Sequence, residues 1–371
     1  MYEGSNKSML NMLDGLMSRN VQPFIFLPKQ INMSICDEFA QRGIPFLVLN
    51  FKMPLYPLLN TFRDFVRFVP RLFISFYIDF KLVHKISVMA KASKIDLIHS
   101  NVGPILLGFK SAKKNNIPHV WHLREYQDLD FKLRTLYSKR DFIKMINSPI
   151  NHCIAISNEI YNHFSLNGDS KMIYNGVLKV SDIQFKPRKE KYFLYVGRLT
   201  EEKGVKILIQ AFINFSKINS DYDLYLAGEY EENFKEVLTK ICECHQSKKR
   251  VHFLGNRDDV FDLMSNATAL IVPSLNEAFG RITVEAMFNG CLVIGNDSGG
   301  TQEILKDEEL GLLYSGYEEL ALIMETVVSN GIESYYLTIK RAQERAIALY
   351  SVEQNAVRVY EYYKEILGIK D

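Results

Sequence analysis

Two stretches hold residues whose types and spacing could do chemistry. Residues 272–286 read VPSLNEAFGRITVEA. The pattern predicts a buried strand ending at Pro273, a loop with Glu277 and Phe279-Gly280, and a helix from about Arg281. A helix start offers unpaired backbone N–H groups and a positive dipole end, both suited to phosphate. Gly280 permits close backbone approach. Glu277, and Glu285 a little over one turn into the helix, are acceptors for sugar hydroxyls, so that one could hold a hexose and the other a ribose. The bland alternative is two surface glutamates beside an ordinary strand–helix turn, and spacing alone leaves both readings open.

The second stretch, 195–204, reads YVGRLTEEKG. Gly197 gives a tight exit from a strand, and Arg198 and Lys203 follow at the same edge, ahead of a helix from Val205. Two cations above a helix start form a clamp for a diphosphate. The alternative is a solvated charged loop. The two loops complement each other, hydroxyl acceptors in one and phosphate donors in the other. No metal is expected. Cys242, Cys244 and His245 have no second ligand pair at zinc-like spacing. Asp258-Asp259 reads as a helix N-cap region rather than a metal-binding pair.

These loops need parallel sheets to position them. Apolar, β-rich runs at 23–27, 44–50, 96–101, 118–123, 153–157 and 171–174, then at 192–196, 223–227, 251–254, 269–273, 292–296 and 311–313, alternate with helical patterns such as 205–218 and 232–244. Two such series predict two doubly wound α/β domains. We place them at 1–185 and 186–351, split in the polar stretch 181–191 (SDIQFKPRKEK), with a helix at 352–367 in a C-terminal segment, 352–371, that packs back towards the first domain. The first domain opens unusually, at a loop (Tyr2, Glu3, Gly4, Ser5, Asn6) followed by a helix at 7–19. A doubly wound domain opens on a strand. The expectation is therefore that this strand lies upstream of Met1 in the natural product.

With 371 residues the chain has room for two cores, and its 47% hydrophobic and 24% charged residues are a globular mixture. A net charge of +2 argues against a nucleic-acid partner. Five scattered cysteines and the lack of a signal-like start point to a reducing, cytoplasmic location. The apolar segment 62–83 is interrupted by Arg63, Arg67, Arg71, Asp79, Lys81 and Pro70, so it is no clean membrane span.

The motif EAFGRITVEAM at 277–287 resembles the E-x7-E signature of the family 4 glycosyltransferases, and GCLVIGNDSGGTQE at 290–303 is similar to its continuation. VGRLTEEKG at 196–204 resembles that family's diphosphate loop, and VHFLGN at 251–256 its nucleoside-side loop. WHLRE at 121–125, AIS at 155–157, IYNGV at 173–177 and the opening GSNKSMLNMLDGL also follow the family, so the resemblance spans essentially the whole chain. It implies the GT-B fold, two Rossmann-like domains facing across a cleft. It implies that Arg198 and Lys203 bind the donor diphosphate at the exit marked by Gly197, that Glu285 holds the ribose and that Glu277 holds the transferred sugar. Ala278, Phe279, Gly280 and Arg281 line the same donor site, with backbone contacts from Phe279 and Gly280, and Asn256 and Arg257 flank the base. His122 matches a first-domain histidine near the sugar. Gly4, Ser5, Asn6 and Asn175 are expected at the acceptor side of the cleft.

The implied reaction transfers a hexosyl unit from a nucleoside diphosphate sugar to an acceptor hydroxyl with retention, as in surface polysaccharide or glycolipid assembly. Departure of the diphosphate builds charge that Arg198, Lys203 and the helix start would stabilise. Rival readings are a nucleotide-sugar epimerase and a non-catalytic sugar-nucleotide-binding subunit. For the acceptor, residues 59–94 form a Phe-rich helical stretch with Arg63, Arg67, Arg71, Lys81, Lys85, Lys91 and Lys94. That mixture suits an anionic membrane at the inner face of the cell membrane and a lipid-linked glycan, or else a partly buried helix with solvated charges.

Overall fold

The computed structural model describes residues 4–29, 33–51, 55–56, 62–101, 105–126, 134–135, 138–243, 249–306 and 309–369. The chain divides into two compact units, residues 1–174 with 355–371, and residues 175–354.

In the first unit the strands are β1 (Ile25–Pro28), β2 (Phe46–Leu49), β3 (Leu55–Tyr56), β4 (Ile98–Ser100), β5 (His119–Leu123), β6 (Arg134–Thr135), β7 (Asn151–Ala155) and β8 (Lys171–Met172). β1 and β2 pair in parallel, β4-β5-β7-β8 form a four-stranded parallel sheet, and β3 and β6 pair antiparallel. β5 is buried at every residue, as a parallel strand covered on both faces must be. The helix Val352–Leu367 brings Val359 and Tyr362 against Met12, Leu16, Val120 and Ile154.

One expectation for this unit is corrected. The first helix is Gly4–Met17, so Gly4, Ser5 and Asn6 form its first turn rather than a loop ahead of it. Ser and Asn are ordinary at helix starts, where their side chains meet unpaired N–H groups, and nothing in GSN breaks a helix there.

The second unit is built on β9 (Glu190–Val196), β10 (Asp223–Ala227), β11 (Val251–Gly255), β12 (Ala267–Val272), β13 (Val293–Asn296) and β14 (Leu312–Tyr314). All are parallel, in the order β11-β10-β9-β12-β13-β14. The strand order reverses between β9 and β12, the switch point where ligands bind in doubly wound sheets. Phe193, Phe212, Phe215, Leu224, Leu226 and Met324 lie in its apolar core. The stretch after residue 174 is held by this unit. Val177 N–H donates to Tyr350 O, Gln184 N–H to Phe288 O, and Lys189 Nζ to the carbonyls of Ser265 and Gly290.

Candidate functional site

The loops after β9 and β12 leave the carboxyl ends of the two strands that flank the switch point. The β9 loop is pinned along its length. Gly197 N–H donates to Ala227 O, Leu199 N–H to Glu229 O, and the Tyr195 hydroxyl to Arg198 O at 2.7 Å. Gly204, at φ +71°, closes the loop against Pro273, whose carbonyl oxygen would collide with any Cβ at that position. The two loops are thus locked together by backbone contact at their roots. Between those anchors Arg198 is exposed and its side chain has no ion pair or hydrogen bond among the described residues.

The β12 loop carries Glu277, which meets Lys203 of the first loop at 2.6 Å (Nζ to Oε1). Burial, with Glu277 next in effect, pushes the Tyr195 phenol up from its usual range, so it stays a neutral donor. Behind Glu277 stands the start of the helix Gly299–Leu305. Gly300 N–H donates to Glu277 O at 2.6 Å, and a Cβ on Gly300 would collide with the Phe279 backbone. Ser298 Oγ adds a bond to Leu275 O. Phe279 turns its ring into the core beside Tyr350, Ala278 is half-buried, and Gly280 caps the helix Arg281–Phe288. In that helix Arg281 Nε bonds Glu285 Oε1 at 2.8 Å, and Arg281 Nη2 donates to Val177 O. Glu285 is only 7% exposed.

The β11 loop leaves the same edge two strands from β9. Asn256 and Arg257 are exposed there, and Arg257 forks onto Asp259 with bonds of 2.8 and 2.5 Å. Asp259 stands at the N-cap of the helix Val260–Asn266, yet its side chain caps nothing and holds Arg257 instead. Of the candidates elsewhere, Asn175 is a buried residue of the second unit. His122 is a fully buried residue of the first unit, on β5. Among the described residues no group of His, Cys, Asp or Glu is arranged to hold a metal, and Cys244 and His245 lie outside them.

The structure therefore gathers Gly197, Arg198, Lys203, Glu277, Ala278, Phe279, Gly280, Arg281 and Glu285 around one switch point. Sequence reasoning passed over Tyr195, Gly204, Ser298, Gly299 and Gly300. The signal for the last three was the glycine pair directly after a strand in GNDSGG.

Residues 179–345 match the model of the family described as Glycosyl transferases group 1. Over 285 residues the chain is 26% identical to an uncharacterised glycosyltransferase of Methanocaldococcus jannaschii, covering 74% of this chain and 70% of that one. Its fold is similar to that of Anabaena HepE in complex with UDP (TM-score 0.77, 20% identity, 98% and 96% of the two chains), a protein also solved with UDP-glucose. It is also similar to a glycosyltransferase from Rickettsia africae (TM-score 0.79, 18% identity, 98% and 95% of the chains). The chain has the GT-B fold of two Rossmann-like α/β domains and is related to glycosyltransferases.

Proposed function

We propose that the chain is a retaining glycosyltransferase of the family 4 type, moving a sugar from a nucleoside diphosphate sugar to a hydroxyl of a lipid-linked glycan. The observation that carries this reading is the convergence of two chemistries at one switch point. Arg198 and Lys203 lie on the β9 loop, and Glu277 and Glu285 lie on the β12 loop and its helix. In this reading the two cations and the first-turn N–H groups behind Gly280 stabilise the departing diphosphate, where charge develops as the glycosidic bond breaks. Glu277 orients the sugar and offsets positive charge on its ring, Glu285 accepts from the ribose, and Asn256 and Arg257 flank the base. Lys203 is paired with Glu277, and in this reading a donor diphosphate replaces Glu277 as its partner.

The acceptor reading rests on the 31-residue helix Phe62–Ala92. Val66, Phe73, Tyr77, Phe80 and Val88 fall on one stripe and are all exposed, Phe73 to 70% and Phe80 to 74%. Lys81, Lys85 and Lys91 are exposed beside them, with Lys81 over the Tyr77 ring. Ile86 and Ala90 are buried on the other side. No helix among the described residues is long and apolar enough to cross a membrane. An exposed aromatic stripe with flanking lysines suits a helix lying in the headgroup region of an anionic leaflet.

The test is donor turnover, beginning with UDP-glucose, with and without a lipid-linked oligosaccharide. The reading expects release of nucleoside diphosphate that the acceptor accelerates, and a product with the donor's anomeric configuration. Acceptor-independent release of an epimerised sugar would instead support an epimerase. Binding of UDP and of several donor sugars without turnover of any would support a binding subunit.

A further inference from the structure

Tyr192 and Tyr195 both lie on β9, and both are buried. Each donates its hydroxyl to a backbone carbonyl at 2.7 Å, Tyr192 to Leu263 O and Tyr195 to Arg198 O. Three residues apart on a strand, they face opposite sides of the sheet. The Tyr192 ring stacks on Tyr225, whereas the Tyr195 ring lies in the apolar core with Leu199 and Val205. A buried hydroxyl that bonds a carbonyl is ordinary. What differs is the carbonyl. Leu263 belongs to the helix Val260–Asn266, and Arg198 to the loop that leaves β9 at the switch point.

The peptide joining Arg198 to Leu199 is tied at both of its polar ends. Tyr195 holds the carbonyl, and the Leu199 N–H donates to Glu229 O at 2.8 Å. The backbone just before it is fixed as well. Gly197 N–H donates to Ala227 O at 2.9 Å, and a Cβ on Gly228 would stand 1.9 Å from Gly197 O. A Cβ on Gly197 would stand 3.0 Å from the Tyr195 hydroxyl, so the phenol takes the room that a side chain at 197 would need. The Arg198 side chain itself is exposed. Its guanidinium stands on a long stem whose starting direction this tied backbone sets. Of the three hydrogen bonds, the one from Tyr195 is made by a side chain, so it can be removed without altering the main chain. Burial and the Glu277 carboxylate keep the phenol protonated, as a donor must be.

We propose that Tyr195 is a positioning residue, whose hydroxyl fixes the Arg198 carbonyl and so aims the Arg198 guanidinium at the diphosphate of the donor. The proposal rests on the nucleoside diphosphate reading above for its ligand, and on the hydrogen bonds of the loop for the tie. Every residue it uses belongs to the second unit. A guanidinium meets phosphate through a planar fork, so the direction from which it arrives matters. Without the hydroxyl the Arg198 carbonyl loses its partner, and the peptide gains by turning to find another. That turn carries the root of the side chain with it, and a displacement of about 1 Å at a reacting site can cost on the order of a hundredfold in rate.

Tyr195→Phe and Tyr192→Phe make a matched pair for the test, since each removes one buried hydroxyl bond from the same strand. The first arm follows backbone hydrogen exchange by mass spectrometry in the full chain without ligand. Tyr195→Phe is expected to speed exchange in peptides spanning 195–204 roughly threefold to tenfold, the scale of one lost hydrogen bond, with Tyr192→Phe at the wild-type rate there. A wild-type rate in Tyr195→Phe would overturn the tie whether or not the chain binds any nucleotide. The second arm titrates UDP by calorimetry. Tyr195→Phe is expected to weaken UDP roughly threefold to tenfold, and Tyr192→Phe to leave its affinity unchanged. Placed in the Arg198→Ala background, Tyr195→Phe is expected to add no further loss, because the hydroxyl acts through that guanidinium. Wild-type UDP affinity in Tyr195→Phe, equal weakening by the two tyrosine variants, or losses that add fully to that of Arg198→Ala would each overturn the positioning role. A wild-type chain that binds no UDP is titrated with ADP, GDP and dTDP, and failure with all of them refutes the proposed function while the exchange result still decides the tie.

Discussion

Acidification should selectively weaken the first unit. His119 and His122 are buried there and His99 is half-buried, all as neutral imidazoles, with His99 lowered by desolvation to about 3 and His119 to about 4. His119 also has both ring nitrogens bonded, Nδ1 to Asn151 Oδ1 and Nε2 to Ser100 Oγ. In the unfolded chain each titrates near 6.5, so below that pH the unfolded state binds protons that the folded state refuses. Stability is then fully present above about pH 7 and is lost as the pH falls from 6.5 towards the folded values. Between pH 7.5 and 5.5, His99 and His119 each remove a little over 1 kcal/mol, about 3 kcal/mol together, and His122 acts in the same direction. That is a large share of the ~5–15 kcal/mol of a typical domain. The single tryptophan, Trp121, is fully buried on β5, between His119 and His122 in sequence, so its fluorescence reports this unit alone. Urea unfolding followed by that signal at both pH values measures the loss. Replacing His119 by Gln should flatten the dependence even if it lowers stability throughout. A first-unit stability equal at pH 7.5 and 5.5 would refute the argument.

Arg198→Ala and Lys203→Ala should each lower donor kcat/KM by roughly 10- to 100-fold, the cost of a charged contact to phosphate, with melting temperatures near wild type. Steady-state kinetics beside a thermal melt checks both. Glu285→Gln should weaken UDP affinity by titration calorimetry, whereas Glu277→Gln should depress kcat more than it changes UDP affinity. Unchanged UDP affinity in Glu285→Gln would contradict the ribose role. Gly300→Ala puts a methyl into the Phe279 backbone behind Glu277, and should cost about 1–3 kcal/mol of stability and most of the turnover. Co-sedimentation with anionic vesicles should fall with added salt and with Phe73→Ser and Phe80→Ser together, and no binding at low salt would leave the stripe unexplained.

The second unit was legible strand by strand because its strands are continuous apolar runs. ATALIV, six residues buried without exception just ahead of Pro273, reads as a strand with no helical alternative. The two site loops were legible for the same reason, since each begins where such a run stops. What the sequence hid is tertiary. Nothing local distinguishes a lysine that meets a phosphate from one that meets Glu277, 74 positions away. The Tyr363–His99 contact joins residues 264 apart, and His99 sits in a short strand whose pattern marks it only as polar. The opening helix was placed three residues late because GSN reads equally as a loop or as a first turn.

The two ion pairs at the switch point differ in a way that assigns their parts. Lys203 and Glu277 keep 33% and 20% of their side-chain surface in solvent, so water screens the pair and its worth is about 1 kcal/mol or less. A diphosphate, with more negative charge and more acceptor oxygens than a carboxylate, can take Lys203 from Glu277 at small cost and leave Glu277 free to turn to the sugar. Arg281 and Glu285 keep 19% and 9%, and Arg281 is tied as well to the Val177 carbonyl. Breaking that pair would strand a largely buried charge, which costs several times more. Under the proposed function, donor binding is expected to open the first pair and spare the second. In the proposed function Lys203 is then the cation expected to meet phosphate, while Arg281, named with it among the donor-site candidates, holds the Glu285 carboxylate in place.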